Sequence, residues 1–234
     1  HRVGNGYVFS NAHLSEDEAC ARLLERLEGP ALMTPKILRF TTGKREQFWA
    51  KNVVAVGLAS GFMEPLESTS IHLVQSTIAR LTTFFPHAGF DAEDIAAFNA
   101  QSHFEFDRIR DFLILHYKAT ERDDAPFWRH VRDMPIPDSL QAKLDLFRSN
   151  GRVFRESDEL FGEQSWVQVM IGQRVLPRRW HALVDSFDDA AVARHVEETR
   201  RVIQNCLRVM PDHAEFIARH CAARAEPVAA PKVA

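Results

Sequence analysis

Cysteine is scarce in this sequence. The three present, Cys20, Cys206 and Cys221, stand far apart and never at zinc-ligand spacing. Neither a disulfide framework nor a zinc ribbon is expected, and free thiols in a reducing cytoplasm are the reading. There is no H-E-x-x-H, and His213 and His220 sit two helical turns apart, too far to share an ion unaided. No metal site is expected. No run is long and apolar enough to span a bilayer, and no signal peptide is visible, so no membrane partner is expected. Positive charge is not in excess: 29 Lys and Arg face 32 Asp and Glu, a formal net charge of -3. With no basic stripe, nucleic acid is not implied as a partner. The dinucleotide fingerprint G-x-G-x-x-G is missing, and with it the start of a nucleotide-binding fold. The chain begins at His1 rather than Met, so a fragment or a processed form is expected. Internal repeats and low-complexity blocks are also absent.

What remains is ordinary globular composition, 45% hydrophobic and 26% charged, enough for one or two cores. The first part mixes strand and helix signals. Asn5-Gly6 signals a turn, with a short strand from Tyr7 to Ser10 after it. L-S-E-D-E-A-C-A-R-L-L-E-R-L-E-G reads as a helix opened by a Ser15/Glu18 capping box and closed by Gly29-Pro30. I-L-R-F-T-T-G-K-R-E suggests a hairpin, and V-V-A-V-G-L-A a strand buried on both faces. From residue 68 on, the pattern is helical. Ile71, Val74, Ile78, Leu81 and Phe85 recur at helical spacing and predict a core-facing stripe, stopped by Pro86. Residues 93–120 predict a long helix with Ile95, Phe98, Phe106, Ile109, Phe112, Leu113 and Tyr117 among its apolar positions. Pro126 suits a first helical turn, Asp138 a cap, and Asn150-Gly151 a helix end. Helices over about 188–209 and 211–223, the second opened by Pro211, precede a frayed tail. The fold class expected is α+β, mostly helical.

The chemistry concentrates in G-L-A-S-G-F-M-E-P-L-E-S-T-S-I-H-L, residues 57–73. A glycine-containing turn leads into a helix that opens on Ser68, Thr69 and Ser70. Unpaired N–H groups and a partial positive charge make a helix start a natural seat for an anion. Gly57 and Gly61 would let a flat ligand approach the backbone, and Glu67 would stand beside the seat. The residues alone equally allow Ser68 or Thr69 as a plain N-cap and Glu67 as a solvated first-turn acid.

The run W-A-K-N-V-V-A-V-G-L-A-S-G-F-M-E-P-L-E-S-T-S-I-H, Trp49 to His72, resembles the signature of the flavin-dependent tryptophan halogenases. So do G-N-G-Y-V-F-S at 4–10, L-S-E-D-E-A at 14–19, H-Y-K-A-T-E-R-D-D-A-P-F-W-R at 116–129 and S-W-V-Q-V-M-I-G-Q at 165–173. The resemblance implies an enzyme in which reduced FAD, supplied by a separate and transiently bound flavin reductase, uses oxygen to oxidise chloride or bromide. The hypohalous acid would reach an electron-rich aromatic small molecule through an internal channel. Residue by residue, Glu67 matches the catalytic glutamate, Thr69 and Ser70 the halide-binding backbone, and Leu58 and Ile71 the flavin contacts. The resemblance further implies that residues 1–85 complete a flavin-monooxygenase-like FAD domain. Residues 86–225 would then form a helical substrate-side cap, and 226–234 a flexible tail.

Three departures qualify this expectation. Ser70 replaces the glycine that many tryptophan halogenases carry. The family's glycine-rich FAD motif, catalytic lysine and W-x-W-x-I-P motif would all precede His1, so the chain is expected to be inactive alone. At the substrate end, the family's Tyr-Tyr pair and Phe-Trp-then-Asn arrangement are missing. The tyrosines are Tyr7 and Tyr117, and Trp166 is followed four residues later by Met170. Phe161 and Trp166 could stack on an aromatic ring or pack in the core, and an indole-like substrate is expected over free tryptophan. Phe127 and Trp128 are expected as core anchors, and the charges of T-E-R-D-D as caps and surface. A flavin-dependent hydroxylase, or a non-catalytic remnant acting as an interaction module, are the alternatives. Gly57-Leu58, where hydroxylases carry Gly-Asp, speaks against the former.

Overall fold

The computed structural model describes residues 4–221, which divide into two compact units, 4–180 and 181–221. The first unit is organised by one long helix. It begins with α1 (Glu16–Glu25), whose capping box is formed: the Ser15 hydroxyl accepts from Glu18 N–H, and the Glu18 carboxylate accepts from Ser15 N–H. The helix ends at Arg26, three residues before Gly29. Four two-residue strands follow: β1 (Gly43–Lys44), β2 (Trp49–Ala50), β3 (Val53–Val54) and β4 (Gly61–Phe62). They form two small antiparallel ladders, β1 with β4 and β2 with β3. Then come α2 (Ser70–Thr83), α3 (Ala92–Lys118), α4 (Pro126–Asp133), α5 (Asp138–Asn150) and α6 (Glu163–Gly172). The mostly helical expectation is met.

One expected strand is not there, and another is cut to two residues. Tyr7–Ser10 has no strand pairing. V-V-A-V-G-L-A pairs only at Val53 and Val54, and Val53 is 63% exposed. A strand buried on both faces needs neighbours along its length, and here the chain leaves the ladder for a 3-10 turn at Gly57–Ala59. The stripe predicted on α2 is also corrected. Ile71, Ile78 and Phe85 are exposed, while Leu73 and Thr77 face the core. Polar anchoring selects that face. Buried Glu105 of α3 accepts from Ser76 Oγ at 3.0 Å and Arg80 Nη2 at 2.9 Å, and contacts His72 Nε2 at 3.0 Å.

α3 carries both cores. One gathers Phe98, Phe106, Ile109 and Leu113 with Phe48, Trp49 and Leu73; the other gathers Phe112 and Leu115 with Leu140, Leu144, Phe147, Trp166 and Met170. Asn99 ties the strand region to this helix. Its Oδ1 accepts from the N–H groups of Phe48 and Trp49 at 2.8 Å, and its Nδ2 donates to Trp49 O at 2.9 Å. The side chain thereby serves as an extra ladder partner for a two-residue strand. Gly151, at φ 67°, closes α5 as expected, and Pro126 opens α4. Pro137, not Asp138, stands at the N-cap of α5, and Ala125 rather than an acid caps α4.

The second unit holds a 3-10 turn (Ala182–Ser186), α7 (Asp189–Val209) and α8 (His213–His220). Asp188 and Asp212 cap the two helices, the first accepting from Ala191 N–H and the second from the N–H groups of Ala214 and Glu215; Pro211 precedes the second cap. The predicted end of the last helix at 223 and the predicted tail lie outside the described residues.

Candidate active site

The turn that links β4 to α2 is strained and held on two sides. Glu67 (φ 64°, ψ 6°) and Ser68 (φ 53°) both occupy the left-handed region, which costs a residue with a side chain about 1–2 kcal/mol. Two such residues in succession persist only if their surroundings impose them. Three contacts do so. Ser68 N–H donates to Pro65 O at 2.9 Å, Tyr117 Oη donates to the Glu64 carboxylate, and Glu67 Oε1 lies 3.2 Å from His116 Nε2. Consecutive residues of α3 thus grip the two glutamates of E-P-L-E. Burial first, then the Glu64 carboxylate, push the Tyr117 hydroxyl well above the usual phenol range, so it stays a proton donor.

Before this turn, Gly57 takes φ +63° in the 3-10 turn, and the Ser60 hydroxyl donates back to Gly57 O at 2.6 Å. The Arg45 guanidinium clasps the same turn through Ala59 O at 3.0 Å. After it, Thr69 is the N-cap of α2, but its side chain makes no capping bond. The helix therefore begins without a side-chain acceptor for its first N–H groups, the condition under which an external anion can serve. Thr69, Ser70, Gly57, Leu58, Met63 and Ile71 line one shallow cleft of about 170 Å³. Leu58 and Ile71 are 76% and 74% exposed. Two aliphatic side chains beside an uncapped helix start suit the edge of a flat ring with a small anion behind it. These residues fit a flavin and a halide.

The structure thus brings together six of the residues singled out from the sequence, Gly57, Leu58, Gly61, Thr69, Ser70 and Ile71. Glu67 does not line that cleft; its carboxylate meets His116 instead. From His116 an aromatic series continues: its ring meets Phe112 edge-on at 5.0 Å, and Phe161 stacks on Phe112 at 3.9 Å. Trp166 abuts Phe112 at 4.9 Å. Trp166 is 0% exposed, under the cation of Lys143, whereas Phe161 is half-buried. Phe127 and Trp128 are half-buried around the Tyr117 ring, and Trp128 also carries the Arg122 guanidinium over its face at 4.1 Å. The sequence reading missed His116, Tyr117 and Phe112 as site components. The signal was the quoted H-Y-K run and the spacing of four between Phe112 and His116 on one helix.

Comparison with known proteins follows the same residues. The sequence model for tryptophan halogenase matches residues 1–189. A flavin-dependent halogenase from Xanthomonas campestris superposes with a TM-score of 0.89 at 48% identity, over 94% of this chain and 44% of that one. BrvH, a flavin-dependent halogenase from Brevundimonas sp. BAL3, does so with 0.85 at 43% identity, over 90% of this chain and 43% of that one. Tryptophan 7-halogenase RebH of Lentzea aerocolonigenes is 35% identical over 149 residues, 63% of this chain and 28% of its own length. The chain belongs to the tryptophan halogenase family. It spans less than half the length of the curated relatives it matches.

Proposed function

We propose that this chain forms the halide-side wall and the substrate-side glutamate of a flavin-dependent halogenase acting on an electron-rich, indole-like aromatic. One observation carries the reading. A single strained turn presents an uncapped helix start, at Thr69 and Ser70, to the Leu58–Ile71 cleft, and a carboxylate, Glu67, to His116 of α3. Residues 4–85 would be the later part of an FAD domain and the helices after them the substrate side, with Phe161 nearer the substrate than buried Trp166.

Leu58 and Ile71 would hold the isoalloxazine edge. Reduced FAD, supplied by a separate flavin reductase, would activate oxygen and so provide the oxidising equivalent that turns chloride or bromide into hypohalous acid. The chain's own residues then have distinct tasks. The backbone N–H groups of Thr69 and Ser70 hold the halide; such preorganised dipoles stabilise a small anion with little reorganisation. Ser70 retains the N–H that a glycine would offer, while its side chain reshapes the lining of the cleft. Glu67 accepts the proton that the ring carbon loses as it gains halogen. The three free cysteines are compatible with a cytoplasmic enzyme.

The test uses the complete protein expressed from its gene, with FAD, a flavin reductase, oxygen, indole and bromide. The expected product is bromoindole, identified by its paired isotope masses and absent without halide. An oxygenated indole formed regardless of halide would establish a hydroxylase instead.

A further inference from the structure

Residues 151–162 join α5 to α6 without regular secondary structure. One side chain of α5 gathers this segment. Lys143 is 7% exposed; its Nζ donates to Phe154 O and to Glu159 Oε1, each at 2.9 Å, and reaches Glu156 Oε1 at 3.5 Å. Glu159 is buried too, and its Oε1 also accepts from Glu156 N–H at 3.3 Å. Between these contacts Ser157 takes φ 52°, a left-handed conformation that a non-glycine residue keeps only when its surroundings impose it. Arg155 Nε closes the segment on itself by donating to Glu159 O at 2.9 Å. Two residues further on, Phe161 stacks on Phe112 and packs against both cores.

Stability does not account for an ion pair in this place. Taking two charges out of water offsets much of their attraction, and apolar side chains of similar volume often hold a core as well or better. The pair is also incompletely bonded. Glu159 Oε2 is buried without a protein partner, and so is Nε1 of Trp166, whose ring lies 5.1 Å from the Lys143 ammonium. What the pair does supply is direction. Hydrogen bonds from one ammonium to a backbone carbonyl and a carboxylate select one path for the segment, whereas apolar packing loses uniqueness before it loses stability.

We propose that Lys143 is a positioning residue. Through its buried pair with Glu159 it fixes the path of residues 154–161, hence the place of the Phe161 ring, and so sets affinity for the aromatic substrate. The proposal rests on the substrate-side role given to Phe161 above. Lys143 touches no reactant, and bromide oxidation at the Leu58–Ile71 cleft is independent of it.

The test is made in the complete protein with indole and bromide. Lys143→Met alone strands the Glu159 charge in the core and should lower Tm. Adding Glu159→Met removes that charge and should return Tm to the wild-type value or above. KM for indole should nevertheless stay raised about tenfold, with kcat within about twofold of wild type, the signature of lost binding shared by ground and transition states. Oxidised bromide caught by a dione trap should be unchanged. Return of both Tm and KM would make the pair a stabilising contact only and would overturn the proposal. A double variant that cannot fold would refute it as well, since the pair would then be required for stability. Phe161→Leu separates the proposal from the reading beneath it. KM raised in Phe161→Leu but normal in the double variant would remove the role of Lys143 and leave Phe161 at the substrate. Normal KM in both would overturn both.

Discussion

Gly61 shows how closely single residues are specified around the turn. A Cβ there would lie 2.6 Å from Gly43 O and 2.9 Å from Lys44 Cα, both backbone atoms of β1. Gly61→Ala must push β1 and β4 apart, and overpacking of this kind costs about 1–3 kcal/mol. A drop in Tm is expected, whereas Gly43→Ala, with open space around its Cβ, should leave Tm nearly unchanged. Tyr117 makes a second prediction. Its folded-state value is raised, so its contribution to stability is complete below the ordinary phenol value of about 10 and is lost as pH rises beyond it. Absorbance titration should show one tyrosine that ionises only as the protein unfolds in alkali; Tyr117→Phe should abolish that step. At this scale the sequence was readable where partners are close in the chain. Ser15 finds Glu18 three residues on, and the pattern names both. Glu67 finds His116 forty-nine residues on, and no local pattern encodes that pairing.

Elements follow the same division. The helices were legible because each has its own period and punctuation: Pro126 at the first position of α4, Gly151 after α5, the long apolar series of α3. The strands were overcalled, because β-branched runs report a tolerance for extended backbone and not the presence of a neighbour. Here a helix supplies what a neighbouring strand would. Asn99→Ala would leave Phe48 N–H and Trp49 N–H without their acceptor, at a cost of about 1–3 kcal/mol each where burial keeps water away. The expected readout is lower Tm together with faster hydrogen exchange at residues 48–50, with the middle of α3 unchanged. The orientation of α2 was misread because apolar spacing counts side chains and ignores the buried carboxylate of Glu105 that draws Ser76 and Arg80 toward α3. That rotation leaves Ile71 at the surface, where the cleft uses it. At the C-terminal end of α3, Lys118, Arg132, Arg148 and Arg174 gather where four helices finish. Lys118, Arg132 and Arg148 stand in last turns and offset the helix dipoles, and Arg174, just past α6, pairs with Glu121 at 3.1 Å, which accounts for this basic hollow without a ligand.

Across the whole molecule, α3 joins structure to chemistry. Its middle and end hold both cores, and its last turns hold the two glutamates of the turn, so packing behind Phe112 sets where Glu67 stands. In the proposed reading the turn separates two tasks: the Leu58–Ile71 cleft and the Thr69–Ser70 helix start on one side, Glu67 and the His116–Phe112–Phe161 series on the other. This division is the central claim, and one measurement addresses it directly. In the complete protein, Glu67→Gln should be compared with wild type for two products under identical conditions: oxidised bromide captured by a small dione trap, and bromoindole. The account predicts trapped halogen close to wild type and bromoindole reduced about a hundredfold or more. Equal loss of both would mean that Glu67 serves the halide side, and would contradict a turn with two separate faces.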